Sequence, residues 1–283
     1  MKIHPLFYVI TALFCVTLSS CGNYYMSPLN TISNPYTPMP LKEKDESAKK
    51  ATYVGLHFSP SANTYNDFND GEETSNSAGL RVLQSHAFGA FRASYGAVLN
   101  MGSYNISKPS AAGTGSSLQD YRYYNGGNLF WGGTGINASI SAVKLFARNK
   151  GEWRYIGLQG SVQKEFGKYL DFRQKMPGNL NGLDYVERRG ATTTLGLFTE
   201  FVRRTRSGMQ IGYKGAIGVA ALSRLFYAYN QEYDRQKAPA LADYVSNTFH
   251  MTKNRVTGFI QLNFGREFIS FQTGAVVRIS REK

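Results

Sequence analysis

The chain has 283 residues, with 32 Lys and Arg against 19 Asp and Glu, and its two cysteines are Cys15 and Cys21. This length allows one large β domain or two ordinary domains, and the net charge of +13 indicates an anionic partner. Because both cysteines lie near the amino terminus, a disulfide framework or a cysteine metal cluster in the rest of the chain is excluded.

The amino-terminal segment has the order of a secretory signal peptide. Lys2 is followed by an apolar run over residues 6–18 and then by Ser19 and Ser20. The run is about 13 residues long, which is shorter than the roughly 20 residues that a helix needs to cross a bilayer. We therefore expect export with removal of the segment, rather than a membrane-spanning helix.

The residues that close this run, Leu18-Ser19-Ser20-Cys21, resemble the lipobox of bacterial lipoproteins. The resemblance implies a signal peptide over residues 1–20 and a mature chain that starts at Cys21 and carries acyl chains such as palmitate. Gly22, in place of an aspartate, is compatible in that family with transfer to the outer membrane of a Gram-negative cell. Several acyl chains form a stable anchor. The alternative is an ordinary signal peptide with an accidental cysteine.

Residues 21–50 are predicted to form a flexible tether between the lipid and the folded domain. Four prolines in this range stand among Asn, Ser and Thr, and the mixed-charge run KEKDESAKK follows them. Such a composition offers little apolar surface for a core. The folded domain is therefore expected to span residues 51–283.

From residue 51 onward the sequence alternates with the period of a β-strand. In residues 208–221, GMQIGYKGAIGVAA, apolar residues recur at every second position, with polar or small residues between them. The same pattern predicts eight strands, which lie within residues 51–59, 87–101, 135–146, 153–167, 192–202, 208–221, 255–265 and 267–280. Several of them reach the roughly 9–11 residues that a strand needs to cross an outer membrane.

The polar faces of these strands favour a membrane barrel. They are rich in Gly, Ser, Ala and Asn with isolated charges such as Arg92, Glu200 and Lys214, which suits the crowded inside of a narrow barrel. The pattern resembles small eight-stranded outer-membrane barrels over about residues 51–280. The resemblance implies an all-β fold, an antiparallel up-and-down β-barrel of about eight strands with its apolar faces turned to lipid. A lipid-anchored soluble barrel that binds a small hydrophobic ligand is the alternative.

Long and short connections alternate along the chain. Residues 105–128, 168–190 and 222–254 are long, whereas ARNKGE, RRTRSG and GRE are short. Counted back from a final hairpin at residues 265–267, the carboxy-terminal tail is expected at the end of the barrel that holds the long connections. Familiar barrels separate their termini from the long loops, so either the long segments face the periplasm, or the barrel is inverted, or the strand count near the end is wrong. Aromatic residues near strand ends are expected to form an interfacial belt, namely Tyr104, Trp131, Trp153, Phe264 and Phe268.

Two surfaces are predicted at opposite ends of the barrel. The long connections combine Tyr with Arg, which are enriched at protein interfaces, and the predicted partner-binding residues are Tyr123, Tyr124, Tyr185, Arg188, Arg189, Tyr227, Tyr229 and Tyr233. The short turns carry basic residues predicted to contact the phosphates of outer-membrane lipid and lipopolysaccharide, namely Arg148, Lys150, Arg154, Arg203, Arg204, Arg206 and Arg266. The alternatives are tyrosines that only cap the barrel and a basic rim that is only solvated. Nucleic acid is not an expected partner.

The sequence offers little for catalysis, for a cofactor or for an open pore. The histidines of the mature chain, His57, His86 and His250, have no metal-ligand spacing, and side chains fill a barrel of eight strands. His57 and Ser59 resemble the His-x-Ser pair of outer-membrane lipid A deacylases, but they share a strand face with Tyr53, which is assigned to the interior. We therefore expect a structural or accessory subunit of a larger outer-membrane assembly or secretion machine. A lipid A-modifying enzyme is the alternative.

The lipobox leads to a direct prediction about the mature amino terminus. Mass spectrometry of the first peptide should find Cys21 acylated, because the thiol at the cleavage point is the acceptor in the lipoprotein family. The Cys21→Ser variant should lose the acyl groups. An unmodified peptide that begins at another residue would contradict the prediction.

Overall fold

The computed structural model describes residues 24–25, 27–32, 34–40, 49–63, 73–106, 127–146, 151–176, 185–220, 242–265 and 268–280. Its strands are β1 (Tyr24–Tyr25), β2 (Lys49–Asn63), β3 (Thr74–Phe88), β4 (Phe91–Ile106), β5 (Gly127–Leu145), β6 (Gly151–Phe166), β7 (Tyr185–Val186), β8 (Ala191–Arg204), β9 (Gln210–Ala220), β10 (Ala242–Lys253), β11 (Val256–Gly265) and β12 (Phe268–Arg278). Its helices are α1 (Leu29–Ile32) and α2 (Lys168–Lys175). Within these residues, no helix is both long and apolar enough to cross a membrane.

Ten of the strands form a closed antiparallel barrel. Each pairs with its neighbour along the chain, β12 pairs with β2, and β9 pairs with β10 across residues 221–241, while β1 and β7 form a separate parallel pair. The predicted fold, an all-β antiparallel up-and-down barrel, is confirmed. The predicted number of about eight strands is too low, because β3 and β10 were missed.

The two missed strands have weak apolar alternation. On β3, only Leu80 and Val82 form an apolar pair on the outer face, and the inward side chain of Leu83 interrupts the pattern. On β10, the polar Asn247 stands between Val245 and Phe249 on the outer face. When apolar and polar residues alternate over only a few positions, the pattern does not distinguish a strand from a polar loop.

The missed strand β10 also reverses the predicted position of the tail. The connections after β4, β6 and β9 leave the barrel at one end, here called the long-connection end. The turns after β3, β5, β8 and β10 lie at the other end, the short-turn end, together with the start of β2 and the end of β12. The prediction that the carboxy-terminal tail lies with the long connections is therefore wrong. Counting residues 222–254 as one connection omitted a crossing of the barrel, and one crossing moves the tail to the opposite end.

The outer face of the barrel is apolar along its strands. Leu56, Ile136, Leu197 and Phe249 are each at least half exposed, and their strands lie on different sides of the barrel. The alternate residues point inward and are mainly small or polar, as on β3, where Ser75, Ser77, Gly79 and Ser85 are buried. A closed wall with an apolar outside satisfies its backbone hydrogen bonds without water, which is the requirement for crossing a bilayer with strands. The fold is that of an outer-membrane β-barrel.

The predicted aromatic belt is only partly correct. Tyr104, Trp131 and Phe268 are buried and point inward, so they do not contact lipid. Trp153 is exposed as predicted, and other exposed aromatic residues near strand ends include Phe88, Phe91, Phe130, Tyr155, Phe166 and Phe201. They occur at both ends of the barrel, as expected for girdles at the two membrane interfaces.

The lipid-facing assignment predicts a depth-dependent cost for charge. Leu197 lies between Leu158 and Ile217 in the middle of the outer face, so Leu197→Arg should destabilise folding into vesicles by about 2–4 kcal/mol. Ile211 is the second residue of β9 and lies near the short-turn end. Ile211→Arg should therefore destabilise folding into vesicles by only roughly 0–1 kcal/mol. Urea titration of folding into lipid vesicles measures both values. Equal costs at the two depths would argue against a membrane-embedded face.

Candidate functional site: the filled lumen

A chain of buried ion pairs crosses the lumen. The Arg92 guanidinium on β4 lies 2.5 Å from the Glu152 carboxylate on β6, and Arg154 lies 2.6 Å from both Glu152 and Glu200. Glu200 on β8 also lies 3.0 Å from the His250 imidazole on β10. All five side chains are buried. Since a buried charge without a partner is costly, each member of this ion-pair chain depends on the others.

A β-bulge places Arg154 inside the barrel. The β6–β8 register shifts between Arg154 and Gly157, so Tyr155 and Ile156 both face outward. The alternation therefore restarts one residue later, and Arg154 joins the lumen instead of the basic rim. The prediction that Arg154 contacts lipid phosphates is wrong for this reason.

Residues 34–40 lie inside the barrel and are called the lumen segment. Tyr36 is its central anchor: its hydroxyl donates to Glu200 over 3.1 Å, and its ring stacks on His250 with centroids 4.2 Å apart. The Tyr36 carbonyl accepts a hydrogen bond from the buried Arg81 guanidinium on β3, which also lies over the Phe259 ring. Tyr36 therefore contacts three strands of the wall, β3, β8 and β10.

Both ends of the lumen segment are also bound to the wall. The Asn34 amide donates to Thr194 over 2.7 Å and to Tyr244 over 3.0 Å. Further along, the Ser85 hydroxyl donates to the Pro38 carbonyl over 2.9 Å. Proline has no backbone N–H, so an extended segment with three prolines leaves few donors to satisfy inside the barrel.

The predicted flexible tether over residues 21–50 differs from the structure in its described part. Residues 27–30 and 35–40 are buried, and the side chain of Asn34 is half-buried. Composition suggested a linker because the segment lacks apolar residues for a core of its own. The wall instead supplies polar partners, which a search for apolar patterns does not detect.

A second cluster closes the lumen at the long-connection end. Leu29, Tyr104, Ile106, Trp131 and Tyr169 form this end cap, and the Tyr104 and Tyr169 rings stack with centroids 4.0 Å apart. Gly133 leaves the space for Leu29, because a Cβ there would lie 2.4 Å from a Leu29 methyl group. Burial raises the pKa of the Tyr169 phenol on α2 well above its ordinary value, so the ring stays neutral.

Hydrogen bonds hold the start of the buried segment in this end cap. The Ser27 backbone N–H donates to Glu187 over 3.0 Å, and the Ser27 hydroxyl donates to Glu165 over 2.5 Å. The Asn30 amide also donates to Glu187 over 3.0 Å, and Arg173 of α2 pairs with Glu165. The connection between β6 and β8 is therefore fixed to residues that precede the first barrel strand.

Part of the predicted surfaces can be located. Arg188 and Arg189 are exposed at the long-connection end, and Tyr185 lies in β7. Arg203 and Arg206 are exposed and Arg204 is half-buried at the short-turn end. The other predicted residues lie outside the described residues, namely Cys21, Tyr123, Tyr124, Arg148, Lys150, Tyr227, Tyr229, Tyr233 and Arg266.

His57 and Ser59 point into the lumen. They are 3% and 1% exposed and share the inner face with Tyr53. Neither ring nitrogen of His57 hydrogen-bonds a carboxylate among the described residues. In the same part of the chain, no three His, Cys, Asp or Glu side chains come together as metal ligands. The pair therefore has no access to lipid and, within the described part of the chain, no carboxylate that orients the imidazole.

The sequence contained a partial signal for the lumen. Arg92, Glu200 and Lys214 were assigned to the inner face, and all three are buried there. Lys214 donates to the Gln159 side chain over 2.6 Å and lies 4.2 Å from the centre of the Phe198 ring. The partners of each charge were not predictable, because strand pairing around the barrel fixes them.

No protein-family model matches the chain, and no curated protein matches it in sequence. In structure it is similar to the β domain of the Bordetella autotransporter BrkA, with 10% identity and a TM-score of 0.41 over 81% of this chain and 98% of that chain. It is also similar to the translocator domain of the autotransporter NalP from Neisseria meningitidis, with 8% identity and a TM-score of 0.36 over 84% and 91% of the two chains. An outer membrane channel from Pseudomonas putida F1 has 10% identity and a TM-score of 0.33 over 81% and 96%. These likenesses concern the barrel fold alone.

The filled lumen predicts low ion conductance that depends on the buried segment. Replacing residues 27–40 with a Gly/Ser linker of equal length should raise conductance in planar bilayers several-fold, because the linker has none of the side chains that bind the wall. The control is Thr37→Ala, which removes none of the hydrogen bonds described above and should conduct like the native protein. A folded linker variant that conducts no more than the native protein would show that the wall side chains alone close the lumen.

Proposed function

We propose that this protein is a non-enzymatic outer-membrane β-barrel lipoprotein, anchored through Cys21, that serves as a structural or accessory subunit of a larger outer-membrane assembly or secretion machine. The observation that supports this proposal most is the occupied lumen. Tyr36 and its neighbours fill the space that a transport barrel keeps open, and the end cap covers it. With the inside of the barrel occupied, the surfaces left for function are its two ends and its outer face.

The long-connection end is the proposed site for a protein partner. Arg188 and Arg189 are exposed there beside α2, and the Arg188 guanidinium donates to the Met176 carbonyl over 2.9 Å. The described part of the β6–β8 connection is held in place through Arg173, Glu165 and Glu187. A fixed, basic and partly aromatic surface loses little side-chain entropy on binding, which favours a stable interface.

The short-turn end and the outer face are the proposed contacts with lipid. Arg203 at the end of β8 and Arg206 in the β8–β9 turn are exposed, and we place them at the phosphates of lipid or lipopolysaccharide. Their charge is attracted to anionic headgroups, and the apolar outer face contacts the acyl chains.

The enzyme alternative has no support from the placement of its residues. A serine that attacks a lipid ester needs access to the lipid and a base that is held in position. His57 and Ser59 are enclosed by the wall. The proposal is therefore a non-catalytic role.

Affinity purification in mild detergent tests the accessory role. The native protein should elute with at least one outer-membrane protein, and Arg188→Ala/Arg189→Ala should weaken that association several-fold because it removes two interface charges. The matched control is Arg203→Ala/Arg206→Ala, which removes the same charge at the opposite end and should keep the partner. A native protein that elutes alone would overturn the accessory proposal.

A second variant addresses the loop without damaging the wall. The range 222–254 contains β10, so shortening all of it would remove a barrel strand. Replacing only residues 221–241 with a tight turn keeps β9 and β10 and should give a folded barrel with reduced partner binding.

A further inference from the structure

The buried amino-terminal segment runs through the barrel in one direction. Ser27 is hydrogen-bonded to Glu165 and Glu187 at the long-connection end. Tyr36 lies at the ion-pair chain, and the Pro38 carbonyl contacts Ser85, four residues before the β3–β4 turn begins at Gly89. The segment thus passes from the long-connection end to the short-turn end.

The next strand starts from the end that the segment reaches. β2 begins with Lys49 at the short-turn end, where Lys49 pairs with Ala87 beside the β3–β4 turn. The chain therefore crosses the barrel once through the lumen and then returns within the wall. The two ends of the described chain consequently lie on opposite sides, with Tyr24 at the long-connection end and Ser280 at the short-turn end.

The strand pair β1–β7 fixes the chain just before the buried segment. Tyr24 pairs with Tyr185 and Tyr25 with Val186, in the connection between β6 and β8. Cys21 is three residues before Tyr24, and three residues reach at most about 11 Å. The apolar band of an outer-membrane barrel is about 25 Å tall. Cys21 cannot reach the membrane interface at the short-turn end.

We propose that the acyl anchor on Cys21 enters the leaflet at the long-connection end, so that the anchor and the partner-binding end share one side of the membrane and the carboxy terminus lies on the other. This inference rests on the proposed lipidation of Cys21. The surface it assigns is the rim around β7 and α2, which lies within reach of the acyl chains. Lipid headgroups of that leaflet surround this rim, next to the surface that we propose for the protein partner.

The arrangement has a consequence for the basic rim. Arg203 and Arg206 lie at the short-turn end and therefore face the leaflet that does not hold the anchor. An anchor in the outer leaflet gives these arginines phospholipid phosphates, whereas an anchor in the periplasmic leaflet gives them lipopolysaccharide. The side of the anchor thus selects the lipid that the arginines meet.

Site-specific labelling of whole cells tests the inference. Three variants of the full chain are compared: Asn23→Cys beside the anchor, Arg188→Cys at the long-connection end and Ser207→Cys in the β8–β9 turn. The mature chain has no cysteine besides Cys21, so a membrane-impermeant maleimide reports only the introduced thiol once Cys21 is acylated. Maleimide labelling is measured before and after permeabilisation of the outer membrane.

Asn23→Cys and Arg188→Cys should show the same accessibility, and Ser207→Cys should show the opposite. If the first two react on intact cells, the anchor lies in the outer leaflet; if they react only after permeabilisation, it lies in the periplasmic leaflet. Either result supports the inference. If Asn23→Cys reacts together with Ser207→Cys while Arg188→Cys does not, the inference is overturned.

Mass spectrometry of the same samples separates this inference from the function on which it rests. An unacylated Cys21 would overturn both the proposed anchor and its placement. An acylated Cys21 on the Ser207 side would overturn the placement alone. Loss of the partner in detergent would affect only the accessory role.

Discussion

Glu200 is the residue through which the barrel wall and the lumen segment depend on each other. A carboxylate that is 1% exposed has lost its hydration, which costs several kcal/mol unless other groups replace the water. Arg154 and His250 do so from the wall, and Tyr36 does so from the lumen segment. Removing the segment would leave Glu200 with fewer partners, and would also leave the Arg81 guanidinium without the carbonyl that it binds. The buried polar groups of the wall therefore need the segment as a partner, and the segment has few contacts within itself that could order it without the wall.

The number of strands and the filled lumen are two aspects of the same constraint. The inside of an eight-stranded barrel is just wide enough to be filled by the side chains of its own wall. Ten strands enclose a larger space, and residues 34–40 occupy part of it. The end cap around Leu29 and Tyr169 uses the same solution at the long-connection end, where α2 and the start of the buried segment supply the packing. A wider barrel thus remains compact because its own chain provides the filling.

The sequence predicted the fold class and the faces of most strands, because period-two alternation follows directly from backbone geometry. Residues such as Leu197 and Glu200 were assigned to their correct faces. Alternation failed on β3 and β10, where polar residues reach the outer face, and it failed at Arg154, where a bulge shifts the pattern by one residue. The lumen segment was missed for a different reason. Its sequence is that of a linker, and its order comes from hydrogen bonds to wall residues far away in the chain, such as Thr194 and Tyr244. Long-range polar contacts of this kind leave no local pattern.

The position of the lumen segment also constrains the order of folding. The barrel closes where β12, its last strand, pairs with β2, the first strand of the barrel wall. The lumen segment immediately precedes β2, so it must lie inside the curved sheet before that seam forms. Threading a chain through a finished wall is avoided in proteins, and here a finished wall would also enclose the Arg81 guanidinium without the Tyr36 carbonyl that it binds. The lumen segment therefore serves as the core around which the sheet curls, and the final pairing of β12 with β2 locks it in place.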